Sequence, residues 1–185
     1  MRSSSVVLAA ALAALAVPRS YGMDFCSTCE VLVGAGVTYH FWEWSHSPVI
    51  PISLDFDHNR WELGAFRFTH TQEYFDTAFT YNEHWTNPYW GFSLTRRLEL
   101  FKHEHWGLIL GLGAAYRSEE DRLIASHWNF SELLGVRLQP SPEWKIELIG
   151  RHWSNGGLKL PNHGQDFATV MVSVYPGLLG HHSSN

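Results

Sequence analysis

In the run Arg151-His152-Trp153-Ser154-Asn155-Gly156-Gly157, an imidazole and a hydroxyl stand two positions apart, and Asp166 follows the serine by twelve residues. In an extended segment residues i and i+2 share a face, so His152 and Ser154 stand side by side. An imidazole beside a hydroxyl is a general base beside a nucleophile, and a carboxylate that orients the imidazole completes an acyl-transfer constellation. Asp166 opens the next alternating segment, so a hairpin with an eleven-residue connection, Asn155 to Gln165, brings it next to His152. Asn155-Gly156 is also a turn signal, and on spacing alone the same residues read as a strand end capped by a hairpin turn.

The elements that must hold these residues are strands. Trp144, Ile146, Leu148 and Gly150 share the parity of His152 and Ser154, and Ala168, Val170, Val172 and Val174 share that of Asp166. The same period of two runs through Val31-Val33-Ala35-Val37-Tyr39-Phe41, Ile50-Ile52-Leu54-Phe56, Trp90-Phe92-Leu94, Leu108-Leu110-Leu112-Ala114-Tyr116 and Trp128-Phe130-Leu134-Val136-Leu138. With a less regular segment from Trp61 to Thr69, these make eight strands. Each is about 9 to 11 residues long, the length with which a tilted strand crosses a bilayer. Trp61, Trp106, Trp144 and Tyr175 fall at one set of ends, and Trp42, Trp44, Tyr89, Trp90, Tyr116 and Trp128 at the other. Two aromatic girdles around an apolar band predict an all-β fold, an eight-stranded antiparallel transmembrane β-barrel.

Composition agrees. Of 185 residues 45% are apolar, 15% aromatic and only 17% charged, yet a mean hydropathy of -0.17 is too polar for membrane helices. A net charge of -5 with scattered basic residues excludes a nucleic-acid footprint. Val6 to Val17 is an unbroken apolar run after Arg2, too short to span a bilayer as a helix, and Ser20-Tyr21-Gly22 offers a cleavage site. Residues 1–22 therefore read as a signal peptide and 23–185 as the exported barrel domain. Cys26 and Cys29, just beyond it, read as a small terminal disulfide, with thiol exchange as the alternative for such a pair.

Connections around Asp57-Arg60, Phe101-His105 and Gln139-Glu143 are short, and those over Thr71-Pro88, Arg117-Ser126 and Asn155-Gln165 are longer, as periplasmic turns and outer loops are. Arg96 has the parity of the lipid face, near a strand end where it can snorkel. Lys145, Glu147, Arg151, Arg137 and Glu132 are expected to pair across the lumen, which eight strands leave too narrow for a pore. His103-x-His105 and His181-His182 lack partners at ligand spacing, so no metal is expected. His152, Ser154 and Asp166 are then polar groups on a hydrocarbon-facing wall, a costly placement that marks function. Ten residues beyond Trp144, at roughly 3.3 Å each and a tilt of roughly 40°, Ser154 lies about 25 Å across the bilayer, at the depth of acyl esters in the outer leaflet.

The His152-x-Ser154-Asn155 core, the glycine after it, the Pro161-Asn162 pair and the acid twelve residues after the serine resemble the signature of the outer-membrane lipid A 3-O-deacylases (PagL type) of Gram-negative bacteria. The resemblance runs along essentially the whole mature chain. It implies a serine esterase that hydrolyses the 3-hydroxyacyl ester of lipid A, with Ser154 as nucleophile, His152 as base and Asp166 as the third member. The Asn162 side chain and the Gly157 amide would form the oxyanion hole. The family pattern carries Glu where this chain has Asp166. No metal or cofactor is implied. The partners implied are lipopolysaccharide as substrate and outer-membrane lipid as surroundings; whether two copies of the chain pair as a homodimer is left open by the residues. Lys159, Arg117 and Arg122, in predicted outer loops, are placed to meet lipid A phosphates or core sugars, and read equally as solvated loop charges. The alternatives are a less specific lipid esterase and a non-catalytic barrel, an anchor or adhesion protein on the same scaffold.

Overall fold

The computed structural model describes residues 29–39, 47–69, 72–73, 76–77, 80–81, 84–85, 87–121, 124–141 and 144–174. The expected signal peptide, Cys26, Trp42, Trp44, Arg122 and Tyr175 lie outside them; Cys29 lies within them and is disulfide-bonded.

Eight strands form a closed antiparallel barrel: β1 Glu30–Tyr39, β2 Pro48–Phe56, β3 Trp61–Phe68, β4 Tyr89–Lys102, β5 Trp106–Arg117, β6 Trp128–Ser141, β7 Trp144–Ser154 and β8 Gln165–Val174. Each pairs with the next in sequence, and β8 pairs with β1, so no edge is left open. Between β3 and β4 two small two-stranded sheets pair Gln72–Glu73 with His84–Trp85 and Asp76–Thr77 with Thr80–Tyr81. The β2–β3 turn is tight because Asp57, His58 and Asn59 all take positive φ (51°, 56° and 63°), which short polar side chains tolerate.

Alternation decides which way each side chain looks. Leu63, Phe92, Leu94, Leu112, Phe130, Leu134, Leu148 and Val170 point outward and are each about half exposed. That much bare apolar surface would be a liability in water and is the lipid-facing band of a membrane barrel. Arg96 points outward too, its guanidinium 5.2 Å from the Trp61 ring and 4.0 Å from Asp57, so it reaches the interface beside a strand end. The Trp61–Thr69 segment is irregular in sequence because Phe66 and Phe68 face the lumen while Arg67 faces out over Trp90 at 5.2 Å.

The lumen is filled. Near the outer loops Phe66, Phe68, Tyr89, Trp153 and Phe167 pack with Val49 and Ala115, with Phe68 and Tyr89 stacked at 4.6 Å and Trp153 edge-on to Phe66 at 5.3 Å. Leu32, Ile109, Leu133, Ile149 and Met171 form a second apolar cluster. Inside the lumen buried charges are interlaced: Arg97 with Asp55 and Glu147, Lys145 with Glu30 and Asp55, Arg137 with Glu147, and Arg151 with Glu62 at 2.7 Å, while the exposed Glu99 also reaches Arg137. Pairing of that kind is what lets charge sit where water is scarce.

Three placements differ from the sequence expectation. Glu132 does not line the lumen: β6 alternates without interruption, and Glu132 lies on the lipid face between Phe130 and Leu134. Tyr89 is not in the outer girdle but buried inside, where its ring completes the aromatic cluster. Arg117 is not a loop residue: it ends β5 and is fully buried at the top of the lumen.

Candidate functional site

Strand register builds the site as a row around the outside of the barrel. Glu132 on β6 stands opposite His152 on β7, His152 opposite Asp166 on β8, and Asp166 opposite Tyr39 on β1. Because all four have outward parity, one circumferential line near the outer loops carries two carboxylates, an imidazole and a phenol where the rows below it are apolar. His152 Nδ1 and Asp166 Oδ1 are 2.7 Å apart. An ionised carboxylate only accepts, so Nδ1–H donates and Nε2 is left as the basic nitrogen. Exposure of 37% for the His152 side chain and 15% for that of Asp166 leaves the imidazole reachable and the carboxylate sheltered behind it. Ser154 follows on the same face at the end of β7, opposite Phe130.

The loop from Asn155 to Gly164 is organised by Asn155, itself buried. Its Nδ2 donates to the Lys159 carbonyl (2.7 Å), its Oδ1 accepts the Gly157 amide (3.0 Å), and its own N–H donates to Asn162 Oδ1 (2.9 Å). That last bond uses the Asn162 carboxamide oxygen as acceptor and leaves its Nδ2 hydrogens as the group's donors. The Gly157 amide, one of the two candidate oxyanion donors, is engaged by Asn155 in this structure. At the loop's far end Gly164 has φ of 77°, and a Cβ there would lie 2.4 Å from His152 Cε1, so backbone packs directly on the imidazole.

The neighbouring β5–β6 loop clasps this one. Ile124 forms a bridge to Asn162, the Ala125 amide donates to the Pro161 carbonyl at 3.1 Å, and Lys159 Nζ donates to Glu120 at 2.8 Å. The hydrogen bond from Lys159 holds the Glu120 carboxyl below the ordinary carboxylate range. Of the three candidate phosphate-binding cations, then, Lys159 joins two loops, Arg117 points into the lumen and Arg122 lies outside the described residues.

Below the row the lipid-facing wall is hollowed. Small residues at Ala35, Gly150 and Ala168, flanked by Val37, Leu148 and Val170, leave a groove of about 520 Å³. Gly150 lies two residues from His152 and Ala168 two from Asp166 along their strands, so the groove adjoins the row on the side of the membrane interior. A Cβ on Gly150 would stand 3.6 Å from the Tyr39 hydroxyl, which places that hydroxyl at the groove's upper end.

Sequence reasoning missed Glu132, Asn155 as the loop's hub, Gly164 and Tyr39. Parity alone was the signal for Glu132 and Tyr39; the close approach at Gly164 has no local sequence signature.

Residues 33–175 match the model of the family described as lipid A 3-O-deacylase (PagL). Among solved structures, the barrel is similar to that of the outer membrane enzyme PagL, with a TM-score of 0.57 and 18% identity over 79% of this chain and 99% of that one. It is also similar to Neisserial surface protein A, with a TM-score of 0.54 and 13% identity over 80% of this chain and 97% of that one. At these identities the structural likeness speaks for the fold. A search of curated protein sequences finds no match.

Proposed function

The chain belongs to the lipid A 3-O-deacylase (PagL) family and resides in the outer membrane of a Gram-negative bacterium, and from that premise we propose that its outward-facing site hydrolyses the 3-O-linked acyl ester of lipid A through a serine nucleophile. The observation that carries the reading is the His152–Asp166 pair, bonded at 2.7 Å on the outside of the barrel with Ser154 two residues on. Nothing about barrel stability requires an imidazole and two carboxylates on a lipid face, and each is costly there.

Ser154 Oγ attacks the ester carbonyl while His152 Nε2 takes the hydroxyl proton, and Asp166 holds the imidazole and stabilises its charged form. Charge on the carbonyl oxygen is met by Asn162 Nδ2. A donor of this kind contributes a factor of about 10² to 10³ in rate. The Gly157 amide joins only when Asn155 releases it, so Asn162 carries the larger share. Collapse breaks the bond to the sugar oxygen, which leaves as the free 3-hydroxyl with the proton from His152. Water entering from the headgroup side then cleaves the acyl-enzyme by the same base and releases a 3-hydroxy fatty acid. The groove under the row holds the departing acyl chain, since it is apolar, opens at the ester and points into the bilayer. Lys159 contributes to substrate binding indirectly, by tying its loop to Glu120.

Purified protein incubated with lipopolysaccharide, followed by mass spectrometry of the lipid A, tests this. Loss of one 3-hydroxyacyl chain with wild type and none with Ser154→Ala is the expected result. Unchanged lipid A with a folded barrel would falsify it and favour the anchor or adhesion reading, and loss of an acyl chain other than the 3-O-linked one would point to a less specific esterase.

A further inference from the structure

Arg117 has left the loops and ended up at the top of the lumen, and its contacts there lead back to the site along two routes. We propose that Arg117 is a positioning residue whose guanidinium braces both the loop that carries Asn162 and the start of the strand that carries Asp166. The proposal deepens the esterase reading and rests on it.

The first route passes through the β5–β6 loop. Arg117 donates from both terminal nitrogens to the two carboxylate oxygens of Asp121, and from Nη1 to the Ile124 carbonyl at 3.4 Å. Asp121 Oδ1 in turn accepts the Ile124 amide at 2.8 Å. Ile124, fully buried, bridges to Asn162, and its neighbour Ala125 bonds to Pro161. Asn162 then takes the amide of Asn155, the residue after Ser154. The second route runs inside the barrel. The guanidinium lies 4.7 Å over the Tyr89 ring, and the Tyr89 hydroxyl donates to Gln165 Oε1 at 2.6 Å. Gln165 precedes Asp166 and stands opposite Trp153, the residue between His152 and Ser154.

Only a planar fork suits this place. A guanidinium can bind a carboxylate through two nitrogens and still lie flat on an aromatic ring, whereas a lysine ammonium is a point donor that does one or the other. Because transition-state donors lose most of their worth when displaced by about 1 Å, a brace on Asn162 is felt in the chemical step and little in ground-state binding.

The test compares wild type, Arg117→Lys, Arg117→Gln and Asp121→Ala, each full-length and refolded in detergent micelles, by amide hydrogen exchange and by steady-state lipid A deacylation. In Arg117→Gln and Asp121→Ala the Asn155, Ile124 and Ala125 amides are expected to exchange at least about tenfold faster while strands β1 to β3 keep their protection. The kcat should fall by about tenfold or more with KM nearly constant, and Arg117→Lys should restore little; Asp121→Ala, which cuts the first route alone, should add almost nothing to the loss from Asn162→Ala, whereas Arg117→Gln should add a further loss through the second route. Should the Arg117 variants fail to fold, Asp121→Ala, in a loop outside the barrel wall, carries the measurement. Loop protection equal to wild type, or an Asp121→Ala loss that multiplies with that of Asn162→Ala, overturns the proposal. A loosened loop in a chain whose wild type leaves lipid A intact supports the brace and counts against the esterase reading alone.

Discussion

His152 is confined on three sides: Asp166 at Nδ1, Glu132 across the ladder from it, and the Gly164 backbone against the ring. The last contact makes a sharp prediction. In Gly164→Ala the new methyl would meet the imidazole at 2.4 Å, in a backbone conformation that L residues adopt at a cost of roughly 1 to 2 kcal/mol, so the ring must move. Deacylation is expected to fall by about a hundredfold, measured as fatty acid released, while the barrel folds as before. Gly157→Ala provides the contrast, because nothing lies within 4 Å of the added methyl and only the positive φ is strained. Among residues, those legible in the sequence were the ones whose placement depends on spacing within one strand or across one hairpin: His152, Ser154 and Asp166. Glu132 shares its parity with Phe130 and Leu134, but assigning charged side chains to the lumen by type overrides that signal. Arg117 and Gly164 depend on what the loops do in three dimensions, which spacing does not encode.

Strands β7, β8 and β1 together make the groove, through paired Gly150 and Ala168 and, one outward position further along β1, Ala35 opposite Val170. Gly150→Leu would project a side chain into it from β7; a Cβ there meets only ordinary contacts, at 3.6 and 3.7 Å, so the strand accepts the change. KM for lipid A with long 3-O-acyl chains is expected to rise by about tenfold, with a smaller effect on short-chain substrates, in a chain-length series of deacylation rates. Equal effects at all lengths would show that the groove does not receive the acyl chain. At this scale the period of two fixed the faces of nearly every strand, because a one-residue slip would put a whole apolar set in the lumen. Strand ends were less legible: β4 and β6 run on to Lys102 and Ser141, past register shifts at Glu99–Phe101 and Leu138–Ser141 that interrupt the alternation. The two-residue strands between 72 and 85 carry no periodic signal at all.

The described barrel keeps both its ion pairs and its packed aromatics inside and its candidate site outside, the reverse of a soluble hydrolase. Packed aromatics and interlaced ion pairs close the lumen, so the site is reached from the bilayer and not through the barrel. Closure and strand number were legible from eight alternating segments and short turns, whereas the partners of each luminal charge were not, since many pairings satisfy the same composition. The central claim is that Ser154 is a nucleophile served from the lipid side. A long-chain alkylsulfonyl fluoride, added to the protein in micelles, tests it by intact mass and peptide mapping. One sulfonyl adduct on Ser154 is expected in wild type, none in Ser154→Ala and a far slower reaction in His152→Ala. An unmodified Ser154 in a preparation that deacylates lipid A, or an adduct on another residue that abolishes the activity, would contradict the account.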